Sequence, residues 1–323
     1  MTIARRAALL AAPALLLAPR AQAQAFPASR PIRIVVPYTP GGVSDITARL
    51  IADPMAAALG VAVPVENRAG ADGVIGTEVV ARSAPDGHTL ALVSVGHPVN
   101  AAFYRLPFDT MRDFTFITLT TKTPLVLCAA RGFAASTPAE LVAHAKRNPA
   151  GHVTFAGTGG VVRLAPVLFA QRTGIEMTYV PYRGSTQAHP DLIAGRVDIM
   201  FDTVPAALPH IQSGALKALA TTGAVRAPQL PDVPTIGETL QGFEASTWGM
   251  VMGPANLPAP VLDRLHREIT AAVRRPDIVE RHRTLGAEVV TSNPDETRSF
   301  VQAEMEKWGA AARAAGVQPQ NAG

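Results

Sequence analysis

Two stretches of the chain carry a strand through glycines into a helix. They are Ile34-Val35-Val36-Pro37-Tyr38-Thr39-Pro40-Gly41-Gly42-Val43-Ser44-Asp45 and Thr154-Phe155-Ala156-Gly157-Thr158-Gly159-Gly160-Val161. Glycine lets backbone approach a ligand closely, and the unpaired amides of a helix N-terminus favour negative charge. The first stretch lacks the Lys of a Walker loop and the spacing of a dinucleotide fingerprint, so a carboxylate suits it better than a nucleotide. The plain alternative for the first is an ordinary βα turn with Ser44 or Asp45 as N-cap. Two such exits could face one another across a cleft, because ligands in open α/β sheets sit beyond the carboxyl ends of the strands.

Other candidates surround this pair. Ser94-Val95-Gly96-His97 offers hydroxyl, backbone and imidazole donors at a strand exit, or is a turn ahead of Pro98. Arg163 and Arg183 could bind a carboxylate at two points, or lie on the surface. Asp202 ends an apolar run and either accepts a hydrogen bond from ligand or water, or caps the next helix.

Support for catalysis is thin. The eight histidines, at 88, 97, 144, 152, 189, 210, 266 and 282, include no pair four residues apart, and HExxH and GxSxG are absent. The single cysteine, Cys128, lies in an apolar run and reads as a buried, inert thiol. The expectation is a binding protein with no catalytic residue, no metal and no cofactor.

The elements that must position these residues alternate. Apolar runs at 32–36, 61–66, 89–95, 153–156, 177–180, 197–201 and 216–220 read as strands; 45–59, 74–82, 139–146, 161–173, 187–194 and 205–213 read as helices. This is an α/β pattern with mostly parallel strands. Pro54 falls inside the first helix, which is therefore expected to end or kink at Asp53. Beyond the proline-rich segment 253–260 the chain turns helical, at 261–274, 277–285 and 294–315.

Arg5 and Arg6 precede an apolar run from 7 to 18 and the small residues Ala21-Gln22-Ala23, the form of a cleaved secretory signal peptide over 1–23. The run is shorter than the roughly 20 residues that span a bilayer. Of 29 Lys and Arg against 25 Asp and Glu, this segment holds Arg5, Arg6 and Arg20, so the mature chain is nearly neutral. No basic, aromatic-interleaved cluster remains to suggest a nucleic-acid partner. The reading is a soluble exported protein, with a periplasmic location.

Further blocks follow in order. They are Pro37-Tyr38-Thr39-Pro40-Gly41-Gly42 with Asp45 and Ala48-Arg49; Val65-Glu66-Asn67-Arg68-Ala69-Gly70-Ala71-Asp72-Gly73; Pro85-Asp86-Gly87-His88-Thr89-Leu90; and Val180-Pro181-Tyr182-Arg183-Gly184. Gly195-Arg196-Val197-Asp198-Ile199-Met200-Phe201-Asp202, Leu230-Pro231-Asp232-Val233-Pro234-Thr235 and Lys307-Trp308 complete the series. Together they resemble the periplasmic receptors of tripartite tricarboxylate transporters, the Bug receptors, over essentially the whole mature chain.

The resemblance implies a type II periplasmic-binding-protein fold. Two α/β domains, 27–124 plus 249–323 and 125–248, would be joined by two crossing segments near 125–129 and 246–252, with a ligand cleft between them. It implies a small organic carboxylate as ligand (a dicarboxylate, tricarboxylate, amino acid or aromatic acid) and membrane permease subunits as partners. By position it assigns ligand contacts to Thr39, Gly41, Gly42, Ser44 and Asp45, in the loop opened by Tyr38. Thr158, Gly159 and Gly160 lie opposite, and Ser94, His97, Arg183 and Asp202 are wall candidates. The family commonly has serine and then histidine where this chain has Gly160 and Arg163, so the usual contact is changed toward positive charge, unless Arg163 turns outward. A sensor of the same fold, presenting its closed form to a membrane signalling protein, is the second reading.

Overall fold

In a computed structural model, residues 26–27, 29–158, 160–182 and 184–321 are described; the expected signal peptide, Gly159 and Arg183 lie outside them. The order is β1 (Arg33–Val36), α1 (Val43–Leu59), β2 (Val65–Asn67), a 3-10 turn (Ala71–Gly73), α2 (Val74–Ala81), β3 (Thr89–Ser94), α3 (Gly96–Phe103), β4 (Tyr104–Arg105) and β5 (Phe114–Ala130). There follow α4 (Pro138–Arg147), β6 (Thr154–Gly157), α5 (Gly160–Thr173), β7 (Thr178–Pro181), α6 (Ser185–Ile193), β8 (Ile199–Thr203), α7 (Val204–Gln212) and β9 (Leu216–Thr221). The chain ends in β10 (Ser246–Pro254), α8 (Ala259–Val273), α9 (Pro276–Thr284), β11 (Glu288–Val289), α10 (Pro294–Ala314) and β12 (Gln320–Asn321).

One curled mixed sheet runs β2-β1-β3-β10-β5-β8-β6-β7, with β9 and β11 also on β5. The βα units pair in parallel on both flanks, β2-β1-β3 on one and β8-β6-β7 on the other. Between them the long β5 and β10 run antiparallel. Alternate side chains of β1 and β3 enter different cores: Ile34, Val36, Leu90 and Leu92 pack under α1 and α8, whereas Val35, Ala91 and Val93 join the core that continues under α10. That period-2 division buries this flank on both faces.

The segment expected as a crossing is regular strand. Residues 125–129 pair along their length with β8 and β9, while the stretch of β5 up to Pro124 pairs with β10. The change of partners falls at Pro124–Leu125, where proline has no N–H for a ladder. Thr222 takes over there: Leu125 N donates to its hydroxyl at 2.8 Å, and the Thr222 amide donates back to the Leu125 carbonyl at 2.9 Å.

Several elements depart from expectation. Helix α1 runs through Pro54 to Leu59 rather than ending at Asp53, because Ile51, Ala52, Met55 and Leu59 flank the proline in the core. Burying such side chains is worth about 1.5–3 kcal/mol each, enough to offset the roughly 3 kcal/mol that interior proline costs. Strand β2 begins at Val65, since Pro64 cannot donate. The segment after Ser94 is helical, with Pro98 in its first turn, where a missing N–H costs nothing. Helix α10 packs on α3 and also on α5, touching both flanks.

Candidate functional site

The first glycine-rich loop is braced from inside by Asp45. Its carboxylate accepts the Gly41 amide at 2.9 Å, Asn67 Nδ2 at 2.9 Å and Arg49 Nε at 3.1 Å. Gly41 adopts φ +91°, a conformation glycine takes without strain. Burial opposes the charge on Asp45, but the bonds from Arg49, Gly41 and Asn67 prevail and hold its carboxyl below the usual range. Asp45 is therefore a positioning group that has already taken an amide on which an anion could rest. Gly42, not Ser44 or Asp45, is the N-cap of α1. Thr39, Gly41 and Gly42 are exposed and Ser44 is half-buried.

A cleft of about 670 Å³ opens beside this loop. Tyr38 enters it from the end of β1, and Ser94, Val95 and Gly96 from the end of β3. Ser94 fixes the phenol, its N–H and its hydroxyl donating to Tyr38 Oη at 3.1 and 2.9 Å. Burial pushes the Tyr38 phenol up, so it stays protonated at neutral pH. Thr158, Gly160 and Arg163 line the cleft from the β6–α5 exit. The second glycine-bearing exit thus lines this cavity with Thr158 and Gly160, whereas the first reaches it only through Tyr38; Thr39, Gly41, Gly42, Ser44 and Asp45 are not part of its lining.

Arg163 lines this cleft and also a second hollow of about 580 Å³ that it shares with Tyr179. Its guanidinium lies 4.7 Å from the centre of the Tyr179 ring and 5.5 Å from that of Phe103, so aromatic faces steer it, and no carboxylate forms an ion pair with it among the described residues. Gly157 makes room: a Cβ there would lie 2.8 Å from the Tyr179 ring and 3.2 Å from the Arg163 backbone.

Two wall candidates lie elsewhere. His97 is only 3% exposed, edge-on to Phe114 and stacked on Phe108, and Nε2 meets the Thr110 carbonyl at 3.3 Å. Burial lowers its pKa to about 4, and the neutral ring packs in the core. Asp202 is 1% exposed and fully engaged, accepting from Ser185 Oγ, His189 Nε2 and the Thr203 amide, each at 2.8 Å. It ties the start of α6 to β8 and does not line the cleft. Cys128 is buried, its thiol pushed up by that burial.

The remaining lining was not anticipated. Asp72, Asn100, Phe103 and Tyr104 enter from the 3-10 turn, α3 and β4, and residues 316–318 with Gln320 form a further wall. The glycines in Gly70-Ala71-Asp72-Gly73, between a strand and a helix, are the same signal that marked the two other loops. The terminal wall gives no local signal; it is brought there by the parallel pairing of β12 with β4.

Comparison with known proteins places the chain in a family. The family described as "Tripartite tricarboxylate transporter family receptor" matches residues 47–317. BugT of Bordetella pertussis is 37% identical over 301 residues, 91% of this chain and 92% of its own. The structure of R. palustris Rpa4515 with adipate superposes with a TM-score of 0.75 at 31% identity, covering 91% of this chain and 100% of that one. MatC from Rhodopseudomonas palustris with bound malate gives 0.70 at 31%, covering 88% and 99%. No described helix is long and apolar enough to cross a membrane.

Proposed function

The chain belongs to the tripartite tricarboxylate transporter receptor family, and from that premise we propose that it captures a small organic carboxylate in the Tyr38–Arg163 cleft and delivers it to membrane permease subunits from the periplasm. The observation that carries the reading is the cavity itself: Tyr38, after β1, and Thr158 with Gly160, at the β6–α5 exit, line it together with a guanidinium that has no acid partner among the described residues. Guanidinium and carboxylate match in geometry, and the Tyr38 phenol, whose oxygen accepts from Ser94, keeps its own O–H as a neutral donor.

On this reading residues 27–124 plus 249–323 and residues 125–248 act as two lobes. Their passage at Pro124–Leu125 and in β10 is the hinge. Ligand shifts the protein toward closure by binding both walls at once, which only the closed state permits. Residues 1–23 serve as the export signal and are removed. No group in the cleft is assigned a catalytic role.

The test is thermal unfolding of the mature protein, refolded to strip carried-over ligand, against mono-, di- and tricarboxylates and amino acids. Ligand at 100 times its Kd stabilises by about 2.7 kcal/mol, a shift of a few degrees for a chain of this size. A selective shift with one class supports the reading. A folded sample that responds to none of them overturns it.

A further inference from the structure

Two side chains of opposite charge line the cleft, and neither forms an ion pair among the described residues. Asp72 lines it from the wall formed by the 3-10 turn, while Arg163 lies on the β6–α5 side, and no ion pair joins them. The Asp72 carboxylate accepts from Tyr104 Oη at 2.5 Å, and its backbone carbonyl accepts from Asn100 Nδ2 at 2.9 Å. The Tyr104 phenol is pushed up to about 12, by burial first and then by its bond to Asp72 and that group's charge.

The backbone here is costly. Ala71, Asp72 and Gly73 stand at φ +45°, +52° and +96°, three consecutive left-handed residues of which only the last is glycine. Strain of this kind persists where neighbouring structure over-determines it, commonly at ligand sites. Asn100 and Tyr104 are the groups that hold it here, and both line the same cavity.

We infer that Asp72 is a specificity-determining residue that takes the ammonium of an amino acid whose carboxylate lies toward Arg163. This rests on the carboxylate-receptor reading above and narrows its ligand to zwitterions. The opposed charges complement one molecule bearing both signs, and the attraction strengthens as closure excludes water. A ligand with only carboxylates would bring one of them toward Asp72, and that repulsion selects against it. A hydroxyl in place of the ammonium would keep a hydrogen bond and lose the charge.

The experiment is calorimetric titration of ligand-stripped protein with matched pairs: aspartate and succinate, glutamate and glutarate, leucine and 4-methylpentanoate, phenylalanine and 3-phenylpropionate, with 2-hydroxyglutarate as a hydroxyl control. The amine-bearing member of at least one pair is expected to bind tenfold or more tighter than its partner. Asp72→Asn, which tolerates the left-handed backbone and still accepts from Tyr104, should reduce that ratio to below threefold. Amine-free acids that bind as tightly as their partners, a hydroxy acid that equals glutamate, or a ratio unchanged in Asp72→Asn would each overturn the inference and leave the carboxylate receptor standing. A folded protein that binds no member of any pair but shifts with another amine-free carboxylate overturns only the inference. One that responds to no acid at all removes the receptor reading with it.

Discussion

Arg163, on α5, lays its guanidinium 5.5 Å from the ring centre of Phe103, which ends α3 on the opposite wall of the cleft. The contact joins the two sides, and it leaves the donors of the guanidinium edge available to a carboxylate. Arg163→Ala should weaken binding of the best carboxylate by about 1.5–3 kcal/mol, roughly ten- to a hundredfold. Arg163→Lys should restore only part of it, because an ammonium gives a point charge in place of a planar fork. Unchanged affinity in the alanine variant would mean the group does not touch ligand.

Asp202 separates two roles that its sequence position left open. Removing its charge leaves His189, Ser185 and the Thr203 amide competing for a neutral acceptor in a buried site. Asp202→Asn should cost about 1–3 kcal/mol in urea unfolding while Kd stays within threefold. A large loss of affinity with unchanged stability would instead make Asp202 a ligand contact.

The charge on Asp45 braces its loop, and its sign of pH dependence follows. Its carboxyl is held below 3.8 in the fold, so the stabilisation is fully present above 3.8 and is lost as pH falls through the depressed value. Asp45→Asn should lower the urea midpoint at pH 7, and the gap from the native protein should shrink by pH 3. A gap of equal size at both pH values would contradict the assignment.

His97 acts in a higher window. It is held neutral in the fold, with its pKa lowered from 6.5 to about 4, while the unfolded chain binds the proton. Its contribution is therefore complete above pH 6.5 and falls away as pH drops toward 4, by roughly 3 kcal/mol over the window. His97→Phe keeps a ring against Phe108 and Phe114 and should flatten that slope. Buried His282, lowered for the same reason, leaves a residual one. Urea midpoints at pH 7 and pH 4.5 measure the difference.

Both tryptophans donate to one carboxylate. Trp248 Nε1 on β10 and Trp308 Nε1 on α10 meet Glu304 Oε2 at 2.8 and 2.9 Å, and Lys307 pairs with the other oxygen. Glu304→Ala leaves two buried N–H groups without an acceptor and should cost roughly 2–3 kcal/mol. Intrinsic fluorescence should report it, since no other tryptophan contributes.

Elements whose reason is local were legible. The alternation of β1 and β3 and the capping box at Asn293 and Glu296 are written in consecutive residues. What was not legible depends on partners far away. Helix α1 survives Pro54 because α8, some two hundred residues on, helps bury the face that includes Ile51 and Met55. His97 has the polarity of a ligand contact, but Phe108 and Phe114 claim its ring. Asp72 looked like one position within a loop until the left-handed turn placed it in the cavity with Arg163.

β10 lies between β3 and β5, and that position constrains the order in which the molecule can be made. As the polypeptide is synthesised, β3 and the first part of β5 have open edges until residue 254 has emerged. Pairing at such sequence separation is slow, and unpaired edges invite partners from other chains. For most of its synthesis the polypeptide cannot complete its central sheet. A chaperone that holds extended segments therefore has a long interval in which to act.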